Sequence, residues 1–342
     1  MTGWRAMGRR WARGATVALA MAMGIGVAGS PIAHAACAPG EDAPWRALDA
    51  AVAGVWVWDA PVEEVNPGNG GHVVPTTAVV DSGQALVIDP GPSLRHGQRV
   101  IASLRCRLGA RVVGVVNTHG HAENVMANAA FEGVPVWATT ATRETMMARC
   151  PDCLASLRER AGETALAGTR IRWPDRALAV GDTLTVGRLV IEVVAEERGH
   201  TESDLVLWWA AGRALWVGGL AYDGRIPELA QGSLAAWLEA LPRLRDRQPR
   251  HVVGAVAGDA RTLEATGAYL RALRTRVLRA IDDGRHAGEP GAVVMDEWAG
   301  WAGFARRQGF NLQRAWRELE AEWLREPPAS PAAPGSAQQV GR

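Results

Sequence analysis

The sequence has no lysine and no strong excess of charge of either sign. All 37 basic residues are arginine, they stand beside 36 acidic residues, and the formal net charge is +1. The arginines are scattered among acidic residues, whereas a nucleic-acid-binding protein normally concentrates basic residues and aromatics in one stripe. We therefore expect no nucleic-acid partner. The absence of lysine reflects coding composition and carries no functional information.

The N-terminal region has no apolar run long enough to span a membrane. The run at residues 15–28 is shorter than the roughly 20 residues that a membrane-spanning helix needs. Four arginines precede it, and Ala-His-Ala at residues 33–35 supplies small residues for cleavage. Residues 1–36 thus have the pattern of a cleaved signal peptide, and we expect a soluble mature protein in the periplasm. Its formal charge is near −3, with 33 basic and 36 acidic residues. The pair Arg9-Arg10 leaves the Sec and twin-arginine routes both open.

Cysteine is scarce, with four residues in the whole chain. Cysteines of exported proteins are usually paired, and Cys150 and Cys153 lie three apart in Cys-Pro-Asp-Cys. A redox-active site is the alternative, but such sites normally start a helix after a strand, whereas this one falls within a helical stretch. A structural zinc site would need a second pair at metal spacing, which Cys37 and Cys106 do not provide. We therefore predict a structural disulfide between Cys150 and Cys153.

Strand-like and helix-like segments alternate along the chain in a way that suggests two sheets with helices outside. Strands are predicted at residues 52–58, 73–80, 85–89, 112–117, 134–138, 189–194, 204–209, 214–217 and 251–256. Helices are predicted at residues 93–108, 141–160, 233–247, 260–283 and, beyond the core, 297–325. The tail at 327–342 is rich in proline, alanine, glycine and serine, and we expect it to be disordered.

Two histidine loops, each after a predicted strand, carry the candidate chemistry. His119 and His121 lie two apart at the end of strand 112–117, so a turning backbone can aim both imidazoles at one point. His200 can complete the set from another loop. Three neutral imidazoles leave one coordination position open, which is the arrangement of a catalytic zinc that lowers the pKa of a bound water to about 7. A His-x-His pair alone is more often a pair of surface residues.

These residues resemble the motifs of the metallo-β-lactamase superfamily. Thr-His-Gly-His-Ala-Glu-Asn at 118–124 resembles the family's H-x-H-x-D-H metal loop, and Gly-His-Thr at 199–201 resembles its later G-H-[TS] motif. Val-Ile-Asp-Pro-Gly at 87–91 resembles the strand end whose aspartate, here Asp89, braces the metal loop. The resemblance covers roughly residues 52–283.

The resemblance implies an α/β fold of the αββα four-layer sandwich type. We assign this metallo-β-lactamase-fold domain to residues 45–285 and a C-terminal helical extension to 286–326. It also implies one zinc ion per chain, bound by His119, His121 and His200.

The second metal site of the family is not matched in this sequence. Glu123 and Asn124 stand where the family has an aspartate and a histidine, Gly219 replaces the bridging carboxylate, and Val256 replaces the last histidine. Glycine and valine side chains cannot coordinate a cation, and an amide is a poor substitute for imidazole. We therefore predict a mononuclear site. Glu123 could act as a base or orient water, or it could cap the helix that begins at Asn124.

Three further residues lie where a substrate could reach. His72 falls where the family has a strand edge beside the active-site mouth, so it could contact substrate or be a partly exposed structural histidine. Asp223 and Arg225 could orient a substrate carboxylate, lock the loop after Gly219, or form a solvated surface pair.

The sequence leaves two classes of function open. The first is a periplasmic zinc hydrolase of an ester, a thioester or a related small molecule, which the retention of all three histidines favours. The second is a non-catalytic binding or accessory protein that uses the degenerate pocket, which the loss of the second site favours. Gly-Arg-Ile-Pro at 224–227 and the helix with Cys150 and Cys153 resemble the quinoprotein relay type of zinc metallohydrolase. That resemblance implies a periplasmic quinoprotein dehydrogenase as partner.

Overall fold

The computed structural model describes residues 37–229 and 231–325. The predicted signal peptide and the predicted disordered tail lie outside these residues, so both stay predictions. In the described part of the chain, no helix combines the length and the apolar character that crossing a membrane requires.

Seven strands form the first sheet, and their order in the sheet follows the chain. They are β1 (Arg46–Ala47), β2 (Val55–Trp58), β3 (Thr76–Asp81), β4 (Gln84–Ile88), β5 (Arg111–Val116), β6 (Val136–Ala138) and β7 (Arg176–Ala177). The pairs from β1 to β4 are antiparallel, and those from β4 to β7 are parallel. Because β4 and β5 are parallel neighbours, their carboxyl ends meet at one edge, where Asp89 and Thr118 follow them.

Six strands form the second sheet, in the order β13-β12-β11-β10-β9-β8. They are β8 (Thr183–Val186), β9 (Leu189–Glu197), β10 (Asp204–Trp209), β11 (Ala214–Trp216), β12 (His251–Val253) and β13 (Ala257–Gly258). All neighbours are antiparallel except β11 and β12. The strands β1, β7 and β13 were not predicted, because two residues are too few for a periodic pattern. The four-residue strand β8 was also missed, although its residues alternate between exposed and buried.

Six helices lie outside the two sheets. They are α1 (Leu94–Leu108), α2 (Ala122–Val125), α3 (Thr140–Ala161), α4 (Leu234–Asp246), α5 (Arg261–Asp282) and α6 (Phe304–Arg325). The inner faces of the sheets share one apolar cluster, which includes Ile88 and Val116 of the first sheet and Leu205 of the second. Trp216 of β11 crosses this layer and donates its indole N–H to the Thr77 hydroxyl at 2.9 Å. The α/β four-layer sandwich predicted from the sequence is therefore confirmed.

The predicted C-terminal helix is present as α6, but it packs against the core rather than lying beyond it. Ala315, Trp316 and Leu319 are at most 3% exposed and pack in one cluster with Trp237 of α4. The helix begins at Phe304 instead of residue 297. Gly303, in the left-handed region with φ 82°, turns the chain immediately before it.

The predicted disulfide between Cys150 and Cys153 was wrong. The structure bonds Cys37 to Cys106, whose Cα atoms are 5.1 Å apart, and has Cys150 and Cys153 as free thiols. Both free cysteines lie in the continuous helix α3. The Cβ atoms of helical residues three apart are about 5–6 Å from each other. A disulfide needs about 3.5–4.5 Å, so the intact helix keeps the two thiols apart.

Candidate metal centre

Three histidine side chains from two loops come together where the strands end. His119 and His121 follow β5, and His200 lies between β9 and β10. The Leu205 amide donates to the Thr118 carbonyl at 2.8 Å and joins the two loops. One potential ligand atom of each histidine lies within 4.8 Å of those of the other two. The structure therefore brings together the three histidines that the sequence singled out.

Asp89 braces the loop of His119 and His121. Its backbone has φ 50°, a left-handed conformation that is uncommon for residues other than glycine. Its carboxylate accepts hydrogen bonds from the Thr118 amide at 2.8 Å and the Thr118 hydroxyl at 2.7 Å. Burial raises the pKa of Asp89 to about 6, against the effect of these hydrogen bonds. The carboxylate is thus turned to the loop backbone, in the bracing position that the resemblance implied.

Asp204 braces the His200 loop in the same way, and the sequence analysis missed it. One carboxylate oxygen accepts from the amides of Gly199, His200 and Thr201 at 3.1, 2.8 and 2.9 Å. The other accepts from the Thr201 hydroxyl at 2.7 Å. Burial raises the pKa of Asp204 to about 6, opposed first by the Thr201 amide. A signal was available, since an aspartate three residues after a threonine is typical of such side-chain-to-backbone turns.

The partners of His119 and His200 fix which ring nitrogen is free to bind a metal. The Thr118 hydroxyl gives its only proton to Asp89, so His119 Nδ1, 3.0 Å from that oxygen, must be the donor. His200 Nδ1 lies 2.7 Å from the Glu228 carbonyl, which can only accept. Both rings therefore carry their proton on Nδ1, which leaves the Nε2 lone pair free to bind a metal. Hydrogen bonds to the other ring nitrogen commonly orient metal-binding histidines in this way.

His121 completes the set through its other nitrogen. Its Nε2 lies 3.1 Å from Gln231 Oε1, and its Nδ1 lies 3.0 Å from His200 Nε2. Because His200 carries its proton on Nδ1, its Nε2 accepts a hydrogen bond from His121 Nδ1 across that 3.0 Å, and a metal bound by both nitrogens would take the place of the shared proton. Nitrogens on a tetrahedral zinc, with bonds of about 2.0 Å, are about 3.3 Å apart. The donor set therefore fits a single cation such as zinc.

Burial keeps two of these imidazoles neutral, as metal binding requires. His119 is 2% exposed and His200 1%. Burial lowers the pKa of His119 to about 3 and that of His200 well below its ordinary value, and the charge of His121 adds to both effects. At neutral pH both rings are unprotonated at one nitrogen and can donate a lone pair.

Glu123 lies beside the ligand atoms without joining them. Its carboxylate is 3.9 Å from His121 Nδ1, and its side chain is 16% exposed. Burial alone would raise its pKa, but the charges of His121, Arg307 and Arg225 outweigh burial and lower the pKa of Glu123 to about 2. The carboxylate is therefore ionised at neutral pH. Glu123 also lies in the first turn of α2, which continues as a 3-10 helix over Met126–Ala130, so its alternative role at the start of this helical segment stays open.

The positions of the family's second metal site offer no ligand set. A Cβ atom at Gly219 would lie 1.9 Å from His200 Cδ2, so a side chain at this position would overlap the histidine ring. Asn124 is buried beside Asp89, and its Oδ1 has no hydrogen-bond partner in the described chain. Val256 is half-buried, and its carbonyl accepts from the Gly254 amide. None of these three positions adds a ligand to the histidine cluster, and the number of metals stays a prediction.

Among the three further residues singled out, none contacts the histidine cluster directly. His72 packs against Trp58 and His96, with ring centroids 4.9 and 4.5 Å away. Arg225 is buried and donates to the Val73 carbonyl at 2.6 Å, so it locks its loop. Asp223 is exposed, and within residues 37–229 and 231–325 its side chain forms no hydrogen bond or ion pair.

Glu228 and Gln231 are the other residues that sequence reasoning missed. They lie 28 and 110 positions from their histidine partners, and no local pattern marks such distant contacts. Both depend on where the chain between β11 and α4 runs, which only the folded protein fixes.

The sequence was compared with protein-family models and with curated proteins. The family model of the metallo-beta-lactamase superfamily matches residues 69–255, which include all three histidines and Asp89. No significant match was found among curated proteins.

Several solved structures share the fold. A metallo-beta-lactamase from Pontibacter korlensis superposes with TM-score 0.52 at 22% identity, covering 64% of this chain and 96% of that one. One from Pseudomonas aeruginosa in the mono-zinc form has TM-score 0.53 at 16% identity, covering 68% and 96%. One from Hirschia baltica has TM-score 0.51 at 15% identity, covering 67% and 97%. At these identities the likeness is one of fold.

Proposed function

The chain belongs to the metallo-β-lactamase superfamily, and from this premise we propose that it is an exported hydrolase with one zinc ion that acts on an ester, a thioester or a related small molecule. The family match supports a hydrolase of this fold. The geometry of the three histidines shows that they could hold a metal. The single zinc, the substrate class and the periplasm belong to the proposal.

One observation carries the proposal, and it concerns the free nitrogens of the three histidines. Thr118, Glu228 and Gln231 each take one ring nitrogen of one histidine, and the remaining nitrogens converge. His121 Nδ1 and His200 Nε2 lie 3.0 Å apart, close to the separation of two nitrogens on one tetrahedral zinc, and one ligand atom of each histidine lies within 4.8 Å of the others. A cation bound by these nitrogens would replace the hydrogen bond between His121 and His200.

Zinc bound by three imidazoles supplies a Lewis acid that lowers the pKa of a coordinated water to about 7. Glu123 is ionised and lies 3.9 Å from His121 Nδ1, so it can take a proton from the attacking water and return it to the leaving oxygen or sulfur. Asp89 and Asp204 hold the two loops in place, so the ligands need little reorganisation during the reaction.

The second-site positions limit the leaving groups. Neither Gly219 nor Val256 has a side chain that could bind a second cation, so negative charge on a departing atom must be stabilised by solvent or by a proton from Glu123. Activated esters and thioesters meet that condition. The nitrogen anion of an opened β-lactam does not, so we expect β-lactams to be poor substrates.

Export to the periplasm is supported by two features. The sequence of residues 1–36 has the pattern of a cleaved signal peptide. The disulfide between Cys37 and Cys106 is typical of proteins that fold in an oxidising compartment. The resemblance at residues 224–227 makes a quinoprotein dehydrogenase system the first place to look for a substrate or partner.

A non-catalytic binding protein is the second candidate, and the burial of the cluster favours it. His119 and His200 are nearly inaccessible, and Gln231 lies against His121, whose side chain is 14% exposed. Such low exposure leaves a substrate little direct access to the histidine nitrogens in this arrangement.

Hydrolysis of a panel of activated esters and thioesters by the zinc-loaded protein tests the proposal. We expect turnover by the wild type and loss of both turnover and zinc in His121→Ala. Glu123→Gln should keep its zinc and lose a factor of about 10² to 10⁴ in rate. His286→Ala, which alters an exposed histidine outside the cluster, is the matched control and should behave as wild type.

Two outcomes would count against the proposal. Efficient hydrolysis of a penicillin or a carbapenem would contradict the leaving-group argument. No turnover on the whole panel by fully zinc-loaded protein would favour the binding protein.

A further inference from the structure

The segment that covers the histidine cluster has no regular structure of its own. This covering segment, residues 226–229 and 231–233, joins neither sheet and forms no helix. It nevertheless supplies the outer partners of two histidines, the Glu228 carbonyl for His200 and the Gln231 side chain for His121. Its position must therefore be fixed by other parts of the molecule.

Asn311 of α6 holds the two neighbours of Glu228. Its Oδ1 accepts from the Leu229 amide at 3.0 Å, and its Nδ2 donates to the Pro227 carbonyl at 2.7 Å. The second Nδ2 proton goes to the Tyr269 hydroxyl at 2.8 Å. Asn311 is 0% exposed, so this buried amide uses both protons and its oxygen to hold the chain on either side of the carbonyl that His200 contacts.

Glu318, two helical turns further along α6, fixes the other end of the covering segment. Its carboxylate accepts from the Ser233 hydroxyl at 2.8 Å and from the amides of Leu234 and Ala235, both at 2.9 Å. It thus caps the first turn of α4 directly after the segment. Arg314 adds a hydrogen bond to the Gly232 carbonyl at 3.2 Å.

Arg307 completes the series at the start of α6. It forms ion pairs with the carboxylates of Glu228 and Glu64. Arg307, Asn311, Arg314 and Glu318 are spaced by four, three and four residues, which is the spacing of one helix face. One face of the C-terminal helix therefore contacts the covering segment at residues 227–229, 232 and 233.

We propose that Asn311 is a positioning residue of the metal centre, which holds the Glu228 carbonyl in place and thereby orients His200 toward the metal. This rests on the proposed function, because it assigns the helix a role in zinc binding. The chemistry of the side chain supports the assignment, since only an amide of this length offers both an acceptor for Leu229 and a donor for Pro227. Outer partners of this kind typically change metal affinity by about 10- to 100-fold.

Zinc affinity, measured by competition with a chromophoric chelator on the full mature chain, tests the proposal. We expect Asn311→Ala to weaken zinc binding about 10- to 100-fold and to change the absorption spectrum of the cobalt(II)-substituted protein. Asn311→Asp keeps the acceptor for Leu229 and loses the donor to Pro227, so it should show a smaller loss of the same kind. This isosteric variant also serves if the alanine variant does not fold.

Leu319→Ala is the matched control, because Leu319 is fully buried on α6 and packs in the core without a hydrogen bond to the covering segment. It should lower stability and leave zinc affinity and the cobalt spectrum unchanged. Equal loss of affinity in Leu319→Ala and Asn311→Ala would overturn the proposal. So would unchanged affinity and spectrum in both Asn311 variants.

A readout without metal separates this proposal from the proposed function. In the zinc-free protein, the Nδ1 proton of His200 should give a slowly exchanging imidazole N–H resonance in the wild type and in Leu319→Ala. It should exchange rapidly in Asn311→Ala. That pattern in a protein that binds no zinc would refute the proposed function and still support the positioning of His200 by Asn311. Slow exchange in Asn311→Ala would refute the positioning.

Discussion

Gly219 gives the sharpest single-residue prediction, because it stands where the family has a bridging carboxylate. Replacing it with aspartate would nominally restore a second-site ligand. A Cβ at this position would, however, lie 1.9 Å from Cδ2 and 2.4 Å from Cγ of His200. Normal carbon contacts are about 3.5–4.0 Å, so the ring would have to move by about 1.5 Å or more.

His200 has no freedom to make that movement. Its Nδ1 is 2.7 Å from the Glu228 carbonyl, and its backbone amide is 2.8 Å from the Asp204 carboxylate. A shift of about 1.5 Å would break the first of these hydrogen bonds, which weaken beyond about 3.2 Å. We expect both Gly219→Ala and Gly219→Asp to weaken zinc binding at least about 10- to 100-fold, and to lower stability by about 1–3 kcal/mol through overpacking.

The assay is metal content and zinc affinity of the purified variants, with urea unfolding of the zinc-free forms. Gly300→Ala is the matched control, because a Cβ there meets nothing within 4 Å. Two tightly bound metals in Gly219→Asp, or wild-type zinc affinity in Gly219→Ala, would refute the reasoning.

Three further predictions follow from contacts away from the metal ligands. Asp204→Ala removes the acceptor of four buried hydrogen bonds. It should lower the unfolding free energy of the zinc-free protein, measured by urea denaturation, by about 3 kcal/mol. A loss below about 1 kcal/mol would mean that the loop does not need this brace. Replacing Cys37 and Cys106 by serine opens a crosslink across 69 residues and should destabilise the protein by about 4 kcal/mol, and an unchanged denaturation midpoint would contradict that pairing. Two hydrogen bonds, first that from His251 and then that from the Ala51 amide, lower the pKa of Asp49 from 3.8 to about 2. The ionised carboxylate therefore contributes stability above pH 3.8, and this contribution is lost as the pH falls toward 2. Asp49→Asn should flatten the acid limb of the stability curve in that range, and an unchanged slope would exclude the pairing.

The sequence predicted the parts of the site that local pattern controls. Each histidine loop follows a buried strand, so the end of β5 and the loop before β10 could be located from hydrophobic runs and turn residues. The missing second-site ligands were likewise visible as residue types at Gly219 and Val256. The alternation of strand-like and helix-like segments suggested two sheets with helices outside, and the resemblance then implied the αββα four-layer arrangement.

What the sequence could not predict depends on contacts between distant residues. The pairing of Cys37 with Cys106 follows from the way the N-terminal segment meets the end of α1, and spacing alone favoured the wrong pair. Glu228 acts through its backbone carbonyl, and the Asn311 side chain binds backbone groups more than 80 residues away, so neither contact leaves a local signal in one sequence. The inclusion of α6 in the core has the same cause, since its apolar face shows that it packs but not against what.

Zinc K-edge X-ray absorption of the metal-loaded mature protein tests the central claim most directly. We predict one zinc per chain with three imidazole nitrogens at about 2.0–2.1 Å and one further light atom. Dinuclear sites have their metals about 3.5–4 Å apart, and we predict no zinc scatterer at that distance. A metal neighbour at that distance, or a zinc with fewer than three imidazoles, would contradict the account.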